Sequence, residues 1–146
     1  MDIHTTEAIA VLRRKGRMTI PQIGEQAALA YEALYAEAMA RQLVVNGQPL
    51  FVAQSMPRDA HTEFDLEFCL PVASDELPAL PALRCARLMY EGPLADLFTG
   101  GYQPLMQAMA AAGLRASGES REIYHAWHGP ESADNRIEIQ IGIVHA

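Results

Sequence analysis

The sequence predicts an α+β domain made of a duplicated strand-helix-strand-strand module, and three observations carry that expectation. The chain matches itself under a shift of 71 positions, each copy holds one helix-forming run, and each copy closes on a strand that alternates apolar and polar residues. In the gap-free overlay of positions 12–72 on 83–143, Leu12 and Arg13 fall on Leu83 and Arg84, Met18 on Met89, Tyr31 on Tyr102, Leu34 on Leu105, Ala40 on Ala111, Leu43 on Leu114, Gly47 on Gly118 and Glu67 on Glu138.

The elements follow in order. In the first copy an apolar stretch, Ala8–Met18, precedes Pro21, a helical run Glu25–Leu43 follows, and the Asn46-Gly47 turn leads into strands over Leu50–Met56 and Glu63–Val72. In the second copy Leu83–Tyr90 reads as a strand, Gly92-Pro93 as a turn, and Tyr102–Ala112 as a helix with Gly113 at its C-terminal cap. Arg121–His128 and Arg136–Val144 form the closing pair of strands, set between the turn signals Ser117-Gly118 and Gly129-Pro130.

The closing strands alternate cleanly, because side chains along a strand point to opposite faces. Ile137, Ile139, Ile141 and Ile143 share one face, and Leu66, Phe68, Leu70 and Val72 share the corresponding one. One helix per copy covers that face, through Leu29, Ala33, Tyr35 or Ala36, and Leu43 in the first and Leu105, Met106, Met109 and Leu114 in the second. The expected product is a single domain over 1–146, with copies at about 7–73 and 80–146. Its helices lie on one face of an antiparallel sheet, and a ligand groove runs along the pseudo-twofold seam, where such sites commonly form.

Composition narrows the function. The chain has 146 residues, half of them apolar, and a formal charge of −7. A surface that neutralises phosphates needs a clustered Lys/Arg field, so direct nucleic-acid binding is not expected. The one basic cluster, Arg13-Arg14-Lys15 with Arg17, reads as the exposed rim of a strand. Cys69 and Cys85 lack metal-site spacing and read as reduced, half-buried or core thiols. No apolar run reaches the ~20 residues that span a bilayer, and the N-terminus has no basic leader, so a cytoplasmic protein without a membrane partner is expected. His125 and His128 stand three apart on a strand and point to opposite faces, which argues against a metal; His4, His61 and His145 are isolated. No phosphate loop or nucleophile motif suggests a cofactor.

The second copy, through Leu88-Met-Tyr-Glu-Gly-Pro, Tyr102-x-x-Leu105, Arg121-Glu-Ile-Tyr124 and Ile137-Glu-Ile-Gln-Ile-Gly-Ile143, resembles the GyrI-like small-molecule-binding domain, which is also the effector-binding domain of AraC-type and MerR-type multidrug-responsive regulators. The final strand departs from the family's more frequent Thr-Glu-Ile pattern, and Pro104 stands unusually in the first turn of the helix, a position that tolerates proline. The resemblance implies a groove for lipophilic, often cationic and aromatic compounds, with the acid of the Glu-x-Tyr strand, here Glu122, meeting the positive charge.

The residues themselves offer Glu122 as a solvated strand-end acid paired with Arg121 or Arg115, or as a buried one. The position equivalent to Glu122 in the first copy is Phe51, which favours burial; a buried carboxylate has a raised pKa that an incoming cation reverses. Tyr124 on the same strand face, Tyr90 and Tyr102 are candidate aromatic walls, with core packing as the alternative for each. Trp127 lies on the opposite face of a regular strand, in the core or at a rim beyond a bulge. Glu138 and Glu67 read as solvated or cross-strand-paired acids, and the resemblance adds weight to Glu138.

The leading expectation is therefore a stand-alone binder of hydrophobic, cationic or aromatic small molecules. A sequence filled by this domain leaves no room for a helix-turn-helix, so any control of DNA lies in a separate regulator protein. The alternatives are a hydrolase of strained, DNA-alkylating natural products, with Glu122 and Tyr124 as catalytic groups, and a gyrase-inhibiting interaction protein. Exposed strand edges are compatible with a homodimer.

Overall fold

The computed structural model describes residues 1–57 and 59–144; His145 lies outside them. The strands are β1 (Asp2–Thr5), β2 (Ile9–Met18), β3 (Leu50–Ala53), β4 (Phe64–Pro71), β5 (Ala79–Leu80), β6 (Arg84–Glu91), β7 (Arg115–Ala126) and β8 (Arg136–Val144), and the helices are α1 (Ile23–Ala40) and α2 (Gln103–Ala111). The protein is α+β with antiparallel strand pairing, as the sequence predicts. It divides into two compact units, Glu7–Ala82 and Met1–Thr6 with Leu83–Ala146.

In the unit of Glu7–Ala82 the order is β3-β4-β2-β5. Leu66, Phe68, Leu70 and Val72 form the buried face, against Leu34 and Ala38 of α1 with Ile23, Ala27, Ala30 and Tyr31. The buried stripe of α1 thus runs 27, 30, 31, 34 and 38. Leu29, expected on it, falls on the opposite side of the 3.6-residue period and is 58% exposed, and Tyr35 is left at its flank. The helix stops at Ala40 rather than Leu43: Gln42 turns with φ 56°, and Leu43 N–H returns to Ala38 O at 2.9 Å, placing Leu43 back against the core.

In the other unit the order is β1-β6-β8-β7. Ile137, Ile139, Ile141 and Ile143 are buried with Leu105 and Met109 of α2, and Met106, expected among them, is exposed. The strand β1 is absent from the sequence-based assignment. It pairs antiparallel with β6, and Thr6 secures its end by accepting the Leu83 N–H on Oγ1 at 2.8 Å while its own N–H donates to Leu83 O at 2.9 Å. Pro104 sits in the first turn of α2, directly after the π turn Phe98–Tyr102.

Strand β7 begins six residues before the expected Arg121. The pair Ser117-Gly118, which reads as a turn, is a bulge inside the strand, with the register slipping between Ala116 and Ser120 and Gly118 at φ 109°. Gly142 of β8 lies beneath it: a Cβ there would collide with Ser117 Oγ and stand 3.1 Å from Glu119 O. Three arginines of β2 meet acids, Arg13 with Glu67 at 3.4 Å, Arg14 with Glu37 at 3.1 Å and Arg17 with Asp65 at 3.3 Å. Among the described residues no helix is long and apolar enough to cross a membrane.

Two glycines separate packing from propensity. Gly142→Ala is expected to lower unfolding free energy by about 1–3 kcal/mol, because the Ser117 hydroxyl must turn away and Leu83 and the Glu119 carbonyl must give. Gly24→Ala, in a helical position with open space around it, is expected to raise it by up to ~1 kcal/mol. Urea denaturation of both variants checks the pair, and equal effects would contradict the packing at Gly142.

Candidate functional site

Glu122 and Tyr124 are two apart on β7 and so share a face; they stand opposite Ile139 and Ile137 of β8, on the side that α2 covers. A carboxylate is thereby directed toward the apolar side of the sheet. The chain enters α2 through a π turn, Phe98–Tyr102, which delivers Tyr102, 6% exposed, to the same place. The Tyr102 hydroxyl donates to Glu122 Oε2, and the Tyr124 hydroxyl donates to Oε1 at 2.7 Å. Each oxygen of the acid is held by one phenol.

Glu122 is partly exposed as a residue, but its carboxyl group lies deep. Burial raises its pKa above the usual glutamate range, and the two hydroxyl donors, which favour the charged form, only partly offset this. Burial, the neighbouring charge of Glu122 and the hydrogen bond to it raise the Tyr102 pKa well above that of an ordinary phenol. Among the described residues no Lys or Arg forms an ion pair with Glu122. Within those residues the acid is satisfied in hydrogen bonds and has no ion-pair partner. Chemically such a group can attract an organic cation or exchange a proton at a pH above the ordinary glutamate range.

Trp127 follows directly on β7, past a second register shift between Tyr124 and Ala126, and is 45% exposed. Its ring meets Tyr124 edge-on, with centroids 5.6 Å apart and an interplanar angle of 76°. The slip places it at the rim beside Tyr124. Tyr90 is not brought to the acid: its ring is buried in the core, and its hydroxyl donates to Pro93 O at 2.5 Å, closing the turn after its own strand.

Glu138 lies on the other face of the sheet. It accepts from Gln140 Nε2 at 2.7 Å, meets His125 Nε2 at 2.9 Å and has Arg87 Nη1 at 3.8 Å. Burial pulls its pKa upward, but the donors Gln140 and His125 and the charges of His125 and Arg87 outweigh it and hold the group below the ordinary range. Two glutamates of one sheet are thus pushed in opposite directions by their surroundings. A cavity of about 440 Å³ on that side, lined by Met1, Asp2, Arg87, Met89 and Glu138, has its charges matched internally, with Arg87 Nε 2.7 Å from Asp2. Among the described residues no group of His, Cys, Asp and Glu is arranged to hold a metal.

One contributor escapes sequence reasoning. Asn135, fully buried, accepts from His128 N–H and donates to Gly129 O, both at 2.7 Å, inside the turn between β7 and β8. An asparagine before a strand has no signature beyond turn propensity, and only the contacts reveal it.

No protein-family model and no curated protein matches the chain in sequence. Solved structures do match in fold. EcmrR in its DNA complex superposes with a TM-score of 0.78 at 19% identity over 97% of this chain, which spans 56% of that one. The isolated C-terminal domain of EcmrR gives 0.75 at 19% identity, covering 99% and 97% of the two chains. A hydrolase from Listeria innocua gives 0.67 at 16% identity, covering 98% and 91%. SAV2435 bound to tetraphenylphosphonium gives 0.58 at 9% identity, covering 99% and 94%. The fold is that of these solved structures, and the resemblance read from the motifs holds at the level of the fold.

The raised pKa of Glu122 has a definite consequence for stability. A group whose pKa is higher folded than unfolded contributes stability that is present below its unfolded pKa and lost as pH rises through the folded one. Relative to Glu122→Gln, which does not titrate there, the wild-type protein is expected to lose urea resistance as pH rises from the ordinary glutamate range through the raised pKa of Glu122. Parallel pH profiles for the two proteins would show that the carboxyl group is not buried.

Proposed function

We propose that the chain is a binding domain for hydrophobic, cationic or aromatic small molecules, and that the ligand's charge is met by Glu122. The observation that carries this is a deep carboxylate held by two phenol hydroxyls and by no cationic side chain among the described residues. Tyr124 and Trp127 stand next to it as aromatic faces for a flat or bulky cation, each contributing ~0.5–2 kcal/mol. A similarly folded protein holds tetraphenylphosphonium, which supports the class of ligand. The fold is shared with EcmrR, solved in a DNA complex and as an isolated C-terminal domain, which supports a regulatory role for the bound ligand.

A second reading has one observation of its own: a carboxyl group of raised pKa touching a tyrosine hydroxyl can act as general base on water, and a similarly folded Listeria innocua protein is described as a hydrolase. It predicts turnover of strained electrophiles that ceases in Glu122→Gln.

Titration calorimetry with tetraphenylphosphonium tests the first reading. Glu122→Gln is expected to weaken binding by about 10- to 100-fold, the scale of a charge-assisted contact. Affinity of the wild-type protein is expected to fall as pH drops through the raised pKa of Glu122, since protonation removes the attracting charge. Unchanged affinity in the variant, or a flat pH profile, would move the site elsewhere. Product formation from a strained electrophile, followed by mass spectrometry and lost in Glu122→Gln, would favour the hydrolase.

A further inference from the structure

We infer that Asn135 is a positioning residue that holds Trp127 in place as the outer aromatic wall of the Glu122 site; this rests on the binding function proposed above. The β7–β8 ladder ends at Ala126, opposite Arg136, so the backbone of Trp127 lies outside it. Beyond Trp127 the chain enters the turn that Asn135 closes. Its Oδ1 accepts the N–H of His128, the residue directly after Trp127, and its Nδ2 donates to Gly129 O, both at 2.7 Å.

The clamp reaches further through the backbone of the same residue. Asn135 O accepts the Gly92 N–H at 3.1 Å, and Pro130 O accepts the Leu94 N–H at 2.8 Å, so the β7–β8 turn is tied to the turn after β6. That second turn is itself pinned by the Tyr90 hydroxyl on Pro93 O. Trp127 is 45% exposed and meets Tyr124 edge-on, so little packing of its own fixes it, and the orientation of its Cα is set by the residues behind it. A fully buried amide side chain also leaves orphaned polar groups when it is removed, so the turn has to rearrange rather than persist around a cavity.

The experiment is a double-mutant cycle with tetraphenylphosphonium, measured by calorimetry on the full chain, using Asn135→Ala, Trp127→Ala and the double variant. Asn135→Ala is expected to lower affinity about tenfold in the wild-type background, the loss of one aromatic face, and to change it little once Trp127 is already alanine. Trp127 is the chain's one tryptophan, so its emission in the unliganded Asn135→Ala protein is expected to shift to the red and to become more accessible to iodide. Should the alanine variant fail to fold, Asn135→Asp, which keeps the acceptor for His128 N–H and loses the donor to Gly129 O, enters the same cycle. Equal losses in both backgrounds, or a Trp127 emission unaltered by either Asn135 variant, would overturn the inference. If Trp127→Ala and Glu122→Gln both leave affinity intact, the binding function itself fails instead.

Discussion

The second unit is organised around one unfavourable necessity, a carboxylate placed on the apolar face of a sheet. Alternation along β7 gives Glu122 no choice of side, because Tyr124 two residues later and the isoleucines of β8 fix which face is packed. Burial of a charge without a partner is costly, and among the described residues the answer is two hydroxyls rather than a lysine or arginine. Two phenols satisfy the hydrogen-bonding capacity of the oxygens and leave the charge standing. Tyr102 reaches its oxygen because the chain enters α2 through a π turn, and Tyr124 because of the strand period.

The other unit shows what the same arrangement becomes without an acid. Tyr31 of α1, which aligns with Tyr102 in sequence, stacks on Phe51, which aligns with Glu122, at 6.1 Å and 20°. Its hydroxyl donates to Leu50 O at 3.0 Å and Cys69 O at 3.1 Å, finishing backbone groups of the local sheet. A helix tyrosine thus packs on a strand residue in both units. Where the strand residue is apolar the hydroxyl turns to backbone and the arrangement is core; where it is an acid the hydroxyl turns to the acid. Along the strand the units differ at two overlaid positions, Glu122 for Phe51 and Tyr124 for Ala53.

Much of this was legible in sequence because it depends on periodicity. The isoleucine and leucine faces of β8 and β4 read directly, as did the α+β class and the pairing of Glu122 with Tyr124 on one face. The features that were not legible depend on backbone detail that residue types underdetermine. Ser117-Gly118 has the composition of a turn, and only its place opposite Gly142 makes it a bulge that continues β7. Leu29 is apolar enough to belong to the stripe of α1, yet the buried phase of the helix is that of Leu34, a core side chain, with Ala27, Ala30 and Ala38, small residues that allow close approach to the sheet. The four residues of β1 carry no strand signal beyond Ile3 and two threonines nearby, and pair because the β6 edge offers them a ladder. Asn135 gives no sign in sequence because its partners are backbone groups.

The balance at Glu122 has a direction that bears on how such a site would respond to a ligand. If a lysine neutralised the acid, an entering cation would have to displace it, and the exchange of one positive charge for another would gain little. With phenols as partners the charge remains available, while the hydroxyls keep the carboxylate oriented and prevent the unliganded protein from burying an orphaned acceptor. The cost of that choice is the raised pKa: a proton competes with an entering cation more strongly than it would at an ordinary glutamate. Discrimination between charged and neutral ligands of the same shape then arises from the protein's own unfavourable state, since a neutral ligand cannot recover the desolvation of the carboxylate and a cation can.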